Sequence, residues 1–165
     1  MSLVKRLGIP AAGGALALAA ATVGHFEGKE LSAYRDAVGV VTICYGHTAT
    51  ARIGQTHTDE ECERLLKGDL GDAFDAVNRH VEVPLPPTRE AALASFVYNV
   101  GPGAFSRSTL LRRLNAGKVV EACHELSRWT YAGGKRLAGL VKRRDVERWL
   151  CLYDEYIHVV GGADE

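Results

Sequence analysis

The chain predicts an α+β fold: a small lobe with a short antiparallel sheet, a long connecting helix and a helical C-terminal lobe, preceded by an N-terminal signal-anchor helix. Three observations carry that prediction. Leu7 to Gly24 is an 18-residue stretch without a charge. A β-branched run punctuated by glycine follows between Tyr34 and Thr56. From Thr58 onward apolar residues recur at helical spacing, broken by proline and glycine clusters.

Lys5 and Arg6 precede the uncharged stretch, the positive-then-apolar order of an export signal. As a helix the stretch would span about 27 Å, close to the hydrocarbon thickness of a bilayer. It is only weakly apolar: seven alanines and four glycines leave Leu7, Ile9, Leu16, Leu18 and Val23 as the strongly apolar members. Those residues contribute about −2 kcal/mol toward insertion, and Pro10 works against it. A cleaved signal peptide, cut at Ala19-Ala20-Ala21, competes with an uncleaved anchor that later leaves the membrane. Cleaved apolar cores run about 7–15 residues, so the length favours the anchor. The expected division is an anchor segment over 1–25, able to leave the membrane later, and a globular domain over 26–165.

After Glu27 a short helix end leads into two or three strands, with Val38, Val40, Val41, Ile43 and Tyr45 as strand residues and Gly39, Gly46 and Gly54 as turns. Thr58-Asp59-Glu60-Glu61 is a capping box, with Thr58 able to cap and Glu61 at the third helical position. Cys62, Leu65, Leu66, Leu70, Phe74 and Val77 then continue for about five turns, until Pro84-Leu85-Pro86-Pro87. Thr88–Tyr98 is a helix stopped by Asn99-Val100-Gly101-Pro102-Gly103. Ser108–Leu114 is another, ending at Asn115-Ala116-Gly117 with a restart at Lys118. Gly133-Gly134 is a break, and Gly139–Tyr156 is the last helix, with Leu140, Val146, Trp149, Leu150 and Tyr153 as its core stripe. Gly161–Glu165 is a loose tail.

At 165 residues, with 47% apolar and 24% charged residues, the chain suits one domain with a sizeable core. Twenty basic and twenty acidic residues balance, which excludes the basic excess of a dedicated nucleic-acid binder. The four cysteines, Cys44, Cys62, Cys123 and Cys151, contain no CxxC pair. Behind an export-type segment, two disulfides are the leading reading, with free buried thiols as the plain alternative. A zinc set from Cys44-x2-His47 and His57-x4-Cys62 is the third. Cys44–Cys62 and Cys123–Cys151 need the least chain reversal, although four cysteines allow three connectivities.

The candidate chemistry lies in the spacing Glu27-x8-Asp36-x5-Thr42. Glycosidic cleavage needs a protonated acid at the leaving oxygen and a second carboxylate that attacks or activates water. An apolar neighbourhood disfavours the charged form of Glu27, which suits a general acid. Asp36 sits in the polar Tyr34-Arg35-Asp36 turn and stays ionised more readily. Thr42 can share the water that Asp36 holds. Glu30 is a rival acid without the nine-residue spacing to Asp36, and reads as a solvated helix charge.

Glu27-Gly28, Tyr34-Arg35-Asp36 and Val41-Thr42-Ile43, leading into Gly46-His47-Thr48, resemble the catalytic stretch of phage-type lysozymes. The similarity continues through Ser95-Phe96-Val97-Tyr98-Asn99-Val100-Gly101, Ser108-Thr109-Leu110-Leu111, Arg128-Trp129 and Gly139-Leu140-x2-Arg143-Arg144, so it covers the chain from Glu27 to about Leu152. A Gly/Ala-rich segment immediately ahead of Glu27 further resembles the signal-anchor-release endolysins. The resemblance implies a lysozyme-like fold and hydrolysis of the β-1,4 bond between N-acetylmuramic acid and N-acetylglucosamine, with inversion and without metal or cofactor. By residue it implies Glu27 as general acid, Asp36 as the carboxylate that activates water, Thr42 as its partner, and Tyr98 and Asn99 in the sugar cleft. The implied partners are peptidoglycan and, before release, the host inner membrane; a monomer with no nucleic-acid partner is expected, passing from the membrane to the periplasm.

Residues 1–43 contain no cysteine, so release by refolding is expected rather than a thiol switch inside the anchor. His47 is read as structural. Arg143 and Arg144 either bring a guanidinium near Glu27 or the polymer, or form a solvated basic face. Two rival functions remain at this stage: a secreted lysozyme with a cleaved signal, and a non-catalytic membrane-tethered module that binds peptidoglycan.

Overall fold

A computed structural model describes residues 14–161. Its first helix, α1 (Ala15–Glu27), is built from alanine and leucine, the strongest helix formers, and stops at Gly28, whose φ of 71° an L side chain rarely adopts. Leu18, Ala19, Thr22 and Val23 recur on one face and are buried, chiefly against the central helix α3 and also against α2. The first part of the uncharged stretch, residues 7–13, lies outside the described residues. Among the described helices none is long and apolar enough to cross a membrane. α1 runs across the expected boundary between residues 25 and 26 and shares the core of the body.

β1 (Glu30–Arg35) and β2 (Val41–Cys44) form an antiparallel pair with Tyr34 opposite Thr42 and Arg35 opposite Val41. The pairing shifts register between Glu30 and Tyr34, and Ser32 and Ile43 add isolated bridges to Thr56 and His47. The sheet therefore starts earlier than Tyr34. Glu30 is solvated as expected, but on a strand and not a helix, because Gly28 has already ended α1.

The connecting helix α2 (Asp59–His80) begins at the predicted capping box, where Thr58 accepts from the Glu61 N–H and Glu61 accepts from the Thr58 N–H. α3 (Pro87–Val100) starts with proline in its first turn and has every residue from Ala91 to Val97 buried. Around it stand α4 (Pro102–Ser106), α5 (Thr109–Asn115), α6 (Val119–Glu125) and the long α7 (Ala138–Gly161). Ser108 caps α5 through the Leu111 N–H. The expected break at Gly133-Gly134 is the turn of a second hairpin, β3 (Tyr131–Ala132) and β4 (Lys135–Arg136), exposed throughout. Gly161 closes α7, and the rest of the expected tail lies outside the described residues.

The main core surrounds α3: Leu93, Phe96 and Val97 meet Leu18 and Val23 of α1, Leu66 and Leu70 of α2, and Val146 and Leu150 of α7. A much smaller cluster of Ile43, Cys44 and Cys62 lies under the sheet. Both expected disulfides are present. Cys44–Cys62 joins β2 to α2, and Cys123–Cys151 joins α6 to α7. The first bond takes up both thiols of the zinc alternative.

Candidate active site

Glu27 ends α1 because Gly28 reverses the chain there, so its carboxylate stands where the helical body meets the sheet lobe. The side chain is 26% exposed, and its Oε1 accepts from Arg143 Nη1 at 2.5 Å. Its Oε2 faces Gly46, where an added Cβ would sit 3.8 Å away. That is ordinary contact, so it is the φ of 86° that calls for glycine at this turn. The hairpin thus leaves Glu27 along β1 and returns to it just after β2.

Arg143 is the deepest contact of Glu27. It is 3% exposed, and its fork is shared among three elements: Nη1 to Glu27 on α1, Nη2 to the Ser95 carbonyl on α3 at 3.1 Å, and Nε to Glu147 on α7 at 3.1 Å. Arg144, also buried, donates to Glu147, to Asn99 Oδ1 and to the Trp129 carbonyl, and its guanidinium lies 5.0 Å from the Phe96 ring centroid. Burial lowers the pKa of Arg144, with Glu147 opposing that shift. A solvated basic face is therefore the wrong reading of this pair. The alternative, a guanidinium at Glu27, is what Arg143 provides. The signal for burial was in the sequence: Arg143 and Glu147 are spaced four apart and interleave with Val146 and Leu150 on the inner face of α7.

A cleft of about 410 Å³ opens beside Glu27, walled by Gly46, His47 and Thr48 on one side, Asp69 and Asp72 of α2 below, and Tyr98 and Asn99 of α3 opposite. Tyr98 and Asn99 thus line the cleft as the sequence suggested. The Tyr98 hydroxyl donates to the Tyr45 carbonyl at 2.8 Å and so ties the helical body to the sheet lobe. Burial first, and the negative charges of Asp69 and Glu27 next, push the Tyr98 phenol well above its ordinary value, so it remains a donor across the working pH range. Asn99 is oriented by Arg144. His47, nearly buried, bonds through Nδ1 to Asp69 at 2.8 Å and through Nε2 to the Thr50 hydroxyl at 2.7 Å, a structural role as expected.

Asp36 and Thr42 are not among the residues lining this cleft; they sit farther out on the hairpin. Asp36 Oδ1 accepts from the Val38 N–H at 3.0 Å and the Val40 N–H at 2.8 Å, an Asx turn that closes the β1–β2 connection. Its own N–H donates to the Val40 carbonyl at 2.9 Å. Thr42 is buried, with its hydroxyl donating to the same Val40 carbonyl at 3.2 Å. Val40 therefore couples the two side chains, and the register that sets Tyr34 against Thr42 keeps Asp36 one step beyond the paired strands.

The chemistry this arrangement permits is acid–base catalysis at an open groove: a carboxyl held by one buried arginine lines the cleft, and a second carboxylate held by backbone N–H groups stands on the adjoining hairpin. The chain is similar to known proteins along most of its length. The phage lysozyme family matches residues 24–147. The SAR-endolysin of Bacteriophage PS119 is 47% identical over 86% of this chain and 89% of its own length. The SAR-endolysin of Enterobacteria phage P21 is 42% identical over 93% of this chain and 98% of its own. A crystal structure of a P22 lysozyme mutant superposes with a TM-score of 0.76 at 36% identity, covering 81% of this chain and 94% of that one. From the match over residues 24–147, the chain belongs to the phage lysozyme family.

Proposed function

We propose that the chain is an endolysin that hydrolyses the β-1,4 bond between N-acetylmuramic acid and N-acetylglucosamine, with Glu27 as general acid and Asp36 and Thr42 holding the attacking water. Family membership makes it a lysozyme-type glycoside hydrolase whose substrate is peptidoglycan. The observation that supports the assignment of roles is the different anchoring of the two carboxyl groups, Glu27 in the cleft and Asp36 on the hairpin beside it. Glu27 accepts from Arg143 through Oε1 and has no other side-chain hydrogen bond among the described residues, which leaves Oε2 to carry and deliver the proton to the leaving sugar oxygen. Asp36 has both backbone bonds on Oδ1, which leaves Oδ2 to accept a proton from water. Thr42, whose hydroxyl hydrogen is given to Val40, offers lone pairs to that water's other hydrogen. Tyr98 and Asn99 line the sugar path.

An inverting reaction requires the two carboxyls roughly 6.5–9.5 Å apart in the working complex, leaving space for one water. The product then emerges first as the α anomer, which proton NMR of a fresh digest reads directly. In Glu27→Gln the amide has no proton to deliver, so release of reducing sugar from peptidoglycan falls at least about a thousandfold while the circular-dichroism spectrum is kept. Ordinary muralytic activity in that variant would overturn the role of Glu27. Release of reducing sugar by the wild-type protein separates this reading from a non-catalytic peptidoglycan-binding module.

The same proposal assigns residues 1–25 to a signal-anchor-release segment and 26–165 to the muramidase body. The protein is a monomer that starts on the periplasmic face of the host inner membrane and moves to the periplasm. Two features support anchoring and release: the relatives are SAR-endolysins, and the stretch before Glu27 is weakly apolar. Burial of Leu18, Ala19, Thr22 and Val23 supports the docking of the released segment between α2 and α3. Fractionation before and after collapse of the membrane potential tests it. Full-length protein moves to the periplasm if release is right, whereas a shortened product means a cleaved signal.

A further inference from the structure

Glu147 is a fully buried carboxylate to which the chemistry above gives no task. Its Oε1 accepts from Arg143 Nε at 3.1 Å and from Ser95 Oγ at 2.7 Å, and its Oε2 accepts from Arg144 Nη1. It stands one turn beyond two consecutive buried arginines on the same face of α7. With Glu27 ionised, the two guanidinium charges are matched by two carboxylates. With Glu27 protonated, as a general acid must be when the reaction starts, only Glu147 is left to oppose them.

We propose that Glu147 is a positioning residue for the reaction: it fixes Arg143 by its Nε edge, so that Nη1 points at Glu27, and it neutralises enough of the arginine pair for Glu27 to keep its proton. This rests on Glu27 being the acid. The guanidinium is planar and rigid, so holding one edge sets the direction of the others. A cation beside a carboxyl favours the ionised form, and an unmatched pair of cations favours it more strongly. Stability alone does not call for such a cluster, since buried ion pairs are often replaced by apolar side chains at no cost. Titratable groups that line the cleft with Glu27 are Asp69 and Asp72 from α2, His47 from the loop after β2 and Tyr98 from α3, and His25 precedes it on its own helix. The hydrogen bonds of Glu147 go to Ser95, Arg143 and Arg144 and to none of these groups.

The test is the pH profile of reducing-sugar release from purified peptidoglycan by the full-length protein. In Glu147→Gln, kcat falls tenfold or more while KM stays near wild type, because the residue is out of reach of substrate. The alkaline limb of the profile moves down by about one pH unit, the scale of one charge removed from a partly buried cluster. Glu147→Asp, which keeps the charge, returns the limb to its wild-type position. Arg144→Met removes a cation and moves the limb in the opposite direction, to higher pH. A folded Glu147→Gln whose alkaline limb coincides with wild type overturns the proposal. If that variant loses its near-UV circular dichroism, Arg144→Met decides, and a limb that stays or moves down overturns it. Activity retained by Glu27→Gln would instead overturn the underlying assignment, so the two failures are told apart.

Discussion

The two candidate carboxyl groups, Glu27 in the cleft and Asp36 on the hairpin beyond it, are held by opposite means. Glu27 belongs to the helical body, where Arg143 ties α1, α3 and α7 together in a buried network closed by Glu147 and Ser95. Asp36 belongs to a largely exposed hairpin, where neighbouring backbone N–H groups, a small apolar cluster and the Cys44–Cys62 bond supply the order. Long-range burial makes the first side rigid and intolerant of substitution. Local bonds make the second easy to form and easy to deform, which suits a lip that must admit a long polymer. Removing Arg143, the residue that ties three helices of the body together, should therefore lose fold and activity together, whereas a change on the hairpin side should separate them.

The hardest break of that contrast is Arg143→Met. Removing one member of a buried ion cluster leaves Glu147 undercompensated, so unfolding in denaturant should show a loss of about 3–5 kcal/mol, and muralytic activity should be lost with it. A milder outcome would mean that the body side is no stiffer than the hairpin. The disulfides sharpen the contrast next. Their sequence separations of 18 and 28 are similar, and chain entropy gives each about 3–4 kcal/mol. Replacing Cys44 and Cys62 by alanine should depress activity even well below the melting temperature, because β2 carries Thr42. Replacing Cys123 and Cys151 should cost similar stability but leave the activity of the folded fraction intact. Thermal melts paired with turbidity assays of Gram-negative cells at low temperature separate the two.

Smaller effects come from the start of α2, which anchors the far side of the hairpin lobe. Thr58→Ala loses one cap bond and about 1 kcal/mol by denaturant unfolding, with no change in the pH profile. The partner in the same box gives the least effect and a distinctive one. The Thr58 backbone N–H, assisted by His57, holds the Glu61 carboxyl below its ordinary value of 4.5. A depressed carboxylate contributes stability above its unfolded pKa and loses it as pH falls through the folded one. The stability difference between wild type and Glu61→Gln should therefore be present at neutral pH and vanish on acidification below the usual carboxylate range, as a series of thermal melts would show.

What the sequence revealed follows the same division. The capping box at Thr58, the proline cluster before α3 and the glycines after α3 and α5 marked the helices to within a few residues, because local chemistry decides those boundaries. Glu27, Tyr98 and Asn99 could be placed at one groove from motif resemblance, and both disulfide pairings were the shortest available. β1 was read four residues short and β3–β4 only as a break, since strands with exposed faces leave no alternating pattern. The network of Arg143, Arg144 and Glu147 was half hidden for another reason. A charge at a core-facing helical position looks like solvent-facing polarity until its partners, here Ser95 and Asn99 some fifty residues away, are brought alongside.

Tyr98 holds the Tyr45 carbonyl across the top of the groove, and α1 fills its side of the body. Of the two, α1 has the wider consequence. The thirteen residues that complete this core cannot at the same moment lie anywhere else. A molecule whose α1 resides in a bilayer is one that lacks Leu18 and Val23 beneath Phe96 and holds no Glu27 against Arg143. On the proposed anchoring, such molecules would accumulate silently, and the onset of wall damage would record how many had exchanged one solvent for the other.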